Sequence, residues 1–495
     1  MNQNMESHDY EEVKTHDPDE SVIEIVKYRW PPFLRQMFVV SGVSSIYFVL
    51  GLGFGVPTVM IPHIRKEANS TYVMDEDMAS WLSSVHGYSS LPWVFIIAIC
   101  TRYFGRKLPF LIICLNTLIC FIVFYYSVNT TQLLISAIML GMLLASNMTL
   151  FVLIITEYSS PRYRAVFMIL KATFFYWGVW VANILGVFSH WKHIGVLALV
   201  CSLYSLTALF WPESPYWLAM KGRFEECAVS HRWLKGSDND TEYELKTLIN
   251  SQKAYLETCA ERKCDVSRNQ LKYIMEMCLT KAYYMPVFIS ISVMSMYHFS
   301  GKLVCSMYAI DLMNQFTGSE QTAVIGMLIM DSVTLIGMQL GCVLSKYLKR
   351  RTLFFSTAIT GIAFLFVISI YLYLIKYAII IENKNISILL LTLFSVSIST
   401  GPMIMPSTIF GELLCSRYQT SSLLILTLYS EFLMASILKI SPYMFKSFTL
   451  PGAFLFYGTS SSIFCFIIYK YLPETKDKTL HEIQSFFKEP VKPKA

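Results

Sequence analysis

Charge is scarce in this 495-residue chain: only 15% of its residues are Asp, Glu, Lys or Arg, where a soluble protein carries about a quarter. That deficit excludes an ordinary water-soluble domain and points to lipid. A basic leader is also missing. Residues 1–34 are polar and mostly acidic ("SHDYEEVKTHDPDES"), so no removable signal peptide is expected and the first span inserts the chain. The 12 cysteines are scattered, many within apolar runs (Cys114, Cys120, Cys342, Cys465), and Cys259 and Cys264 have no second pair beside them. Neither a disulfide framework nor a zinc site is expected. No metal cluster, nucleophile constellation or phosphate loop stands out, so the chain is expected to be no enzyme, to need no cofactor and to bind no nucleic acid.

What is abundant is apolar surface, at 54% hydrophobic residues. About 20 residues of helix cross a bilayer, and runs of that order fall near 36–62, 79–100, 108–127, 132–157, 166–187 and 194–211. A second set falls near 284–314, 322–344, 353–380, 387–411, 421–444 and 452–471. The expected organisation is a tail (1–34), a six-helix bundle (35–211), a charged central loop (212–282), a second bundle (283–471) and a tail (472–495). Lysine and arginine set the orientation. The loops "TRYFGRK", "YSSPRYRA", "KYLKRRT" and "LLCSRYQT" are rich in them and the opposite loops poorer, which puts both tails and the central loop in the cytosol. Three glycosylation sequons, at Asn69, Asn129 and Asn385, then fall outside.

Three features recur in the same order about 250 residues apart. "TRYFGRK" has a degraded partner in "SKYLKRR", "TEYSSPRYR" in "GELLCSRYQ", and Pro-Glu-Ser at 212 in Pro-Glu-Thr at 473. The chain is read as a duplicated six-helix unit, an architecture that suits carriers rocking two halves around a central site.

The same residues carry a resemblance. "PESPYWLAMKGRFEE", "PETKDKTLHEI" and "DEDMASWLSS" resemble signatures of the major facilitator superfamily sugar porters, most closely the insect trehalose and hexose facilitators. The resemblance implies an all-α membrane protein with twelve transmembrane helices in two pseudo-symmetric six-helix bundles. It also implies an inner ionic lock: Glu213 and Glu474 pairing with Arg102, Arg106 and Lys107 or with Lys346, Lys349 and Arg350, and Glu157, Arg164, Glu412 and Arg417 meeting nearby. The family pattern opens on aspartate where this chain has Thr101 and Ser345, and Gln419 stands where an arginine belongs. By resemblance Glu412 pairs with Arg164, while Glu157 faces Gln419 or, in substitution, Arg417.

A sugar pocket needs many hydrogen-bonding groups and an aromatic face. In "YHFSGKLVCSMY", Ser300, Gly301 and Tyr308 fit the family's seventh helix. Tyr297 and His298 replace its glutamines, Lys302 intervenes and Leu303 replaces its asparagine. Ala172 stands for a glutamine beside Lys171, Ser407 for a tryptophan, and Ser430 with Glu431 for an Asn-Trp pair. Charges at membrane depth mark function by default, and Lys171, Lys302, Asp331 and Glu431 are such groups. Glu431 could pair structurally with Lys171 or Lys302, in which case Lys302→Met would rescue Glu431→Gln. A lysine could instead stay free for an anionic or strongly polar solute, or Glu431 or Asp331 could carry a proton. The first helix has no acid, and His86 in the second is read as a packing group, so coupling to protons is not expected. The expectation is a passive alternating-access carrier in the plasma membrane, working as a monomer on a small polar solute, a sugar by resemblance. A carrier of a non-sugar, possibly anionic solute and a non-transporting sugar sensor are the rivals.

Overall fold

The computed structural model describes residues 30–66, 74–262, 280–413, 419–476 and 486. Among these, eleven helices are long and apolar enough to span a membrane, and Lys384–Thr400 is a shorter twelfth apolar segment. The first half comprises α1 (Pro32–Lys66), α2 (Glu76–Phe104), α3 (Lys107–Tyr125), α4 (Thr130–Ala145), α5 (Val152–Tyr158), α6 (Pro161–Phe188) and α7 (His193–Ser205). A π-helical turn, Asn147–Phe151, joins α4 to α5, and a 3₁₀ turn, Leu206–Phe210, ends the half.

The described part of the charged central segment, up to Arg262, is helical, and residues 263–279 lie outside the described residues. Ser214 caps α8 (Pro215–Met220), followed by α9 (Phe224–Lys235) and α10 (Asn239–Arg262). These dock on the first half: Gln36 of α1 donates to the Leu234 carbonyl at 3.2 Å and Arg35 to that of Trp233.

The second half comprises α11 (Lys281–Phe299), α12 (Lys302–Met307), α13 (Ala309–Thr317), α14 (Glu320–Tyr347), α15 (Arg350–Lys376), α16 (Lys384–Thr400), α17 (Met405–Leu413), α18 (Gln419–Ser447) and α19 (Thr449–Tyr471). Two spans expected to be continuous are broken. One stops at Ser300–Gly301, the other at Gly401, which precedes Pro402. Proline and glycine remove helical hydrogen bonds or favour other dihedrals, so both breaks have a local cause.

The halves meet along two related seams, α2 against α18 and α6 against α14, with α1 crossing α12 and α13 between them. Within the first half α1 packs closely on α6, where Gly51 and Gly178 lie back to back; a Cβ on Gly178 would sit 2.9 Å from the Gly51 Cα. Small residues let membrane helices approach this closely. The near end of the molecule is where α3 and α15 begin; the far end is where α1 ends and α2 begins.

Candidate functional site

The break after α11 shapes the centre. Gly301 has φ +71°, and a Cβ there would lie 2.6 Å from the Tyr457 ring, so both conformation and space demand glycine. Ser300 bonds its hydroxyl to the Tyr297 carbonyl at 2.6 Å, ending α11 rather than reaching inward. Chain direction changes here, and Tyr297 and Lys302 come to line an interior cavity between the halves. Phe54 and Thr58 of α1, Phe175 and Tyr176 of α6, and Ser306 and Thr334 complete much of its wall. Aromatic faces and hydroxyls thus surround one amine. Tyr176 of one half and Tyr297 of the other line the cavity together.

Other residues singled out from sequence are occupied elsewhere. His298 Nε2 meets Ser430 Oγ at 3.1 Å, and the Tyr308 hydroxyl donates to the Leu438 carbonyl at 3.2 Å. Both contacts hold the second half together. The Ser407 side chain lies outside the described residues. Sequence comparison passed over Phe54, Thr58, Phe175, Tyr176, Ser306 and Thr334, which are ordinary membrane residues until folding brings them to one surface.

The four buried charges fall into three different settings. Lys171 donates from Nζ to the Asn147 carbonyl (3.1 Å) and Oδ1 (2.8 Å), and lies 4.6 Å from the Tyr47 ring centre. Asn147 begins the π turn. Asp331 accepts from Asn183 Nδ2 of the other half at 2.5 Å and from Ser306 at 3.4 Å. Lys302 is 2% exposed, its amine lacks a hydrogen-bond partner among the described residues, and the acid acting on it is Asp331. Glu431 is 5% exposed, within electrostatic range of Tyr47, with Oε2 lacking a partner. The expected bridge from Glu431 to Lys171 or Lys302 is therefore not formed: Lys171 is held by Asn147, and neither the Lys302 amine nor Glu431 Oε2 has a partner among the described residues. His86 of α2 packs at 4.5 Å against the Phe54 ring.

At the near end the contacts differ from the lock implied by resemblance. The Glu213 carboxylate accepts the backbone N–H groups of Arg106 (2.8 Å) and Lys107 (3.3 Å), not their side chains. Glu474 does the same for Arg350 (3.0 Å) and Arg351 (3.2 Å). Arg106 donates to the Thr101 carbonyl and Arg350 to that of Ser345, so the duplicated motifs perform duplicated tasks. Glu157 pairs with Arg106 at 2.8 Å inside one half, with Ser214 donating to its other oxygen. Lys107 caps the Leu209 and Trp211 carbonyls, both at 2.7 Å. Arg102, Lys346 and Lys349 are exposed. Arg164 has a buried Nε without a partner among the described residues. Arg417 and the Glu412 side chain lie outside those residues.

The far end is where charges cross between the halves. Lys439 pairs with Asp77 at 2.5 Å, donates to Ser80 at 2.8 Å and lies over the Trp81 ring, while Tyr443 also donates to Asp77. Lys446 pairs with Glu76 at 3.2 Å, Arg65 with Asp311 at 3.5 Å, and Lys66 with Glu320. At the near end, the polar contacts described above each stay within one half. Ion pairs thus tie the two halves together at the far end. Asn129 caps α4 and Asn385 begins α16, both exposed; Asn69 lies outside the described residues.

A family model described as sugar (and other) transporter matches residues 54–487. The chain is 22% identical over 469 residues to the facilitated trehalose transporter Tret1 of Apis mellifera ligustica, covering 93% of this chain and 89% of that one. It is 22% identical over 455 residues to trehalose transporter 1 of Drosophila melanogaster, covering 91% of this chain but 51% of that protein. Among solved structures, the proton:xylose symporter XylE bound to 6-bromo-6-deoxy-D-glucose superposes with a TM-score of 0.73 at 13% identity, covering 92% of this chain and 100% of the other. An inward open form of the xylose transporter XylE from E. coli gives 0.69 at 14% identity, with the same coverage. The shared architecture is that of the major facilitator fold.

Proposed function

This chain belongs to the sugar (and other) transporter family, and from that premise we propose that it carries a neutral sugar, trehalose or a hexose, passively across the plasma membrane. The observation that carries the reading is the cavity between the two halves, lined by aromatic rings, hydroxyls and one amine, with the halves tied together at one end by ion pairs. A sugar stacks its C–H face on rings and bonds its hydroxyls to polar groups. Tyr176, Tyr297, Lys302, Thr58 and Ser306 are the residues assigned to it here. The family-like amides are absent, and hydroxyls and charged groups take their place. With both tails and α8–α10 in the cytosol, the far end is extracellular and this conformation faces inward. The duplicated halves form a complete carrier, so the monomer is the working unit.

Proteoliposome counterflow of labelled trehalose and glucose, with and without an inward proton gradient, tests this reading. Saturable exchange of either sugar, indifferent to the gradient, is expected. Exchange of an organic anion and of neither sugar would overturn it.

A further inference from the structure

We propose that Asp331 is a positioning residue of the transport cycle, exchanging its hydrogen bond to Asn183 for an ion pair with Lys302 when the far end opens. The proposal rests on the central cavity being the solute site.

Asp331 is 4% exposed and stands between two claimants. Asn183 of α6 belongs to the opposite half and donates at 2.5 Å. Lys302 belongs to the same half as Asp331, lines the cavity, and has an amine with no hydrogen-bond partner among the described residues. One turn before Asn183 on α6, Trp180 donates to Ser332 at 2.9 Å, so two adjacent side-chain bonds tie α6 to α14. Opening the far end must draw α6 from α14, and Asn183 leaves with it. Asp331 then keeps Ser306 and is left beside an ammonium that moves with it as one body. A buried charge without a partner is costly, so the pair forms.

Closure reverses the exchange. Asn183 reclaims Asp331, and the Lys302 amine is left in the cavity wall, where a sugar oxygen is the acceptor able to satisfy it. The solute therefore binds the closed far end better than the open one, and that difference is what lets a ligand shift a conformational equilibrium.

Hydrogen–deuterium exchange of the full-length protein in nanodiscs, followed at peptides spanning 58–66 and 306–320, reads the far end directly. Wild type is expected to exchange more slowly there with trehalose or glucose. Asn183→Leu, which changes no charge, is expected to shift the equilibrium about tenfold toward the open far end and speed exchange without sugar. Asp331→Asn is expected to abolish the response to sugar. Should that variant not fold, Asp331→Asn/Lys302→Met, which leaves no unpaired charge, carries the same expectation. Asn183→Leu exchanging like wild type, or a sugar response kept without Asp331, would overturn the proposal. A wild type indifferent to both sugars would overturn the solute reading instead, and the Asn183→Leu comparison, which needs no sugar, would still decide the exchange of partners.

Discussion

Lys171 and Lys302 are both buried in apolar helices, yet only Lys171 has hydrogen-bond acceptors among the described residues. Lys171 is part of the scaffold, and its replacement by Met would remove both hydrogen bonds to Asn147, at a cost of about 1–3 kcal/mol. Lys302→Met should not lower the melting temperature, because the amine makes no hydrogen bond among the described residues and Asp331 keeps its bonds from Asn183 and Ser306, but should raise KM for the sugar about tenfold; differential scanning fluorimetry with counterflow measures both. Since Glu431 and Lys302 do not touch, Glu431→Gln and Lys302→Met are expected to combine additively, without rescue. Rescue in the double variant would restore the bridge that the geometry lacks. The presence of membrane-depth charges was legible from sequence. Their partners were not, since each partner comes from another helix: Asn147 from the π turn, Asn183 from the opposite half.

Helix ends carry the duplicated motifs. Glu213 and Glu474 hold the first amides of α3 and α15, a place where acidic groups are favoured by the orphan N–H groups and the helix dipole. Glu213→Ala is expected to cost about 1 kcal/mol of stability by thermal shift in whichever direction the carrier faces. Sensitivity only in the outward-facing state would instead indicate a lock between halves. Gly301→Ala meets both a left-handed backbone and the Tyr457 ring, and should cost at least about 1–2 kcal/mol, read as loss of properly folded protein by size-exclusion chromatography. The central helices should respond to acid. Burial pushes the His231 imidazole down to about 4, and the Arg232 guanidinium, hydrogen-bonded to Glu242, holds that carboxyl below its usual value. In the unfolded chain His231 binds its proton near its ordinary pKa, about 6.5, so stability is complete above that pH and declines as pH falls toward 4. Glu242 adds a loss in the same direction at lower pH. Protection of amides in 224–262, taken relative to the intrinsic exchange rate at each pH, should therefore fall between pH 7 and 5, and His231→Leu should flatten that dependence.

At the scale of the whole molecule, two halves share one cavity, and the ion pairs that cross between them among the described residues lie at the far end. Asp77→Lys is expected to favour the opposite-facing state by setting two cations together, and Lys439→Asp in the same chain to reverse it. Accessibility of the cavity to an impermeant reagent from the outside reads both; a double variant no different from Asp77→Lys would show that the contact does not set the balance.

Composition alone determined that the chain lives in lipid, because apolar runs of about 20 residues have no other stable environment. Its repeated motifs determined the duplication, and both copies do the same work at the starts of α3 and α15. Tertiary structure alone decided which residues line the cavity and which charges meet. A helix places neighbours in sequence on different faces, and only the packing of α1, α6, α11, α12 and α14 selects the faces that confront one another. The ion pairs seen between the halves among the described residues lie at the far end, and contact between halves depends on which way the carrier has rocked, a choice no local sequence pattern records.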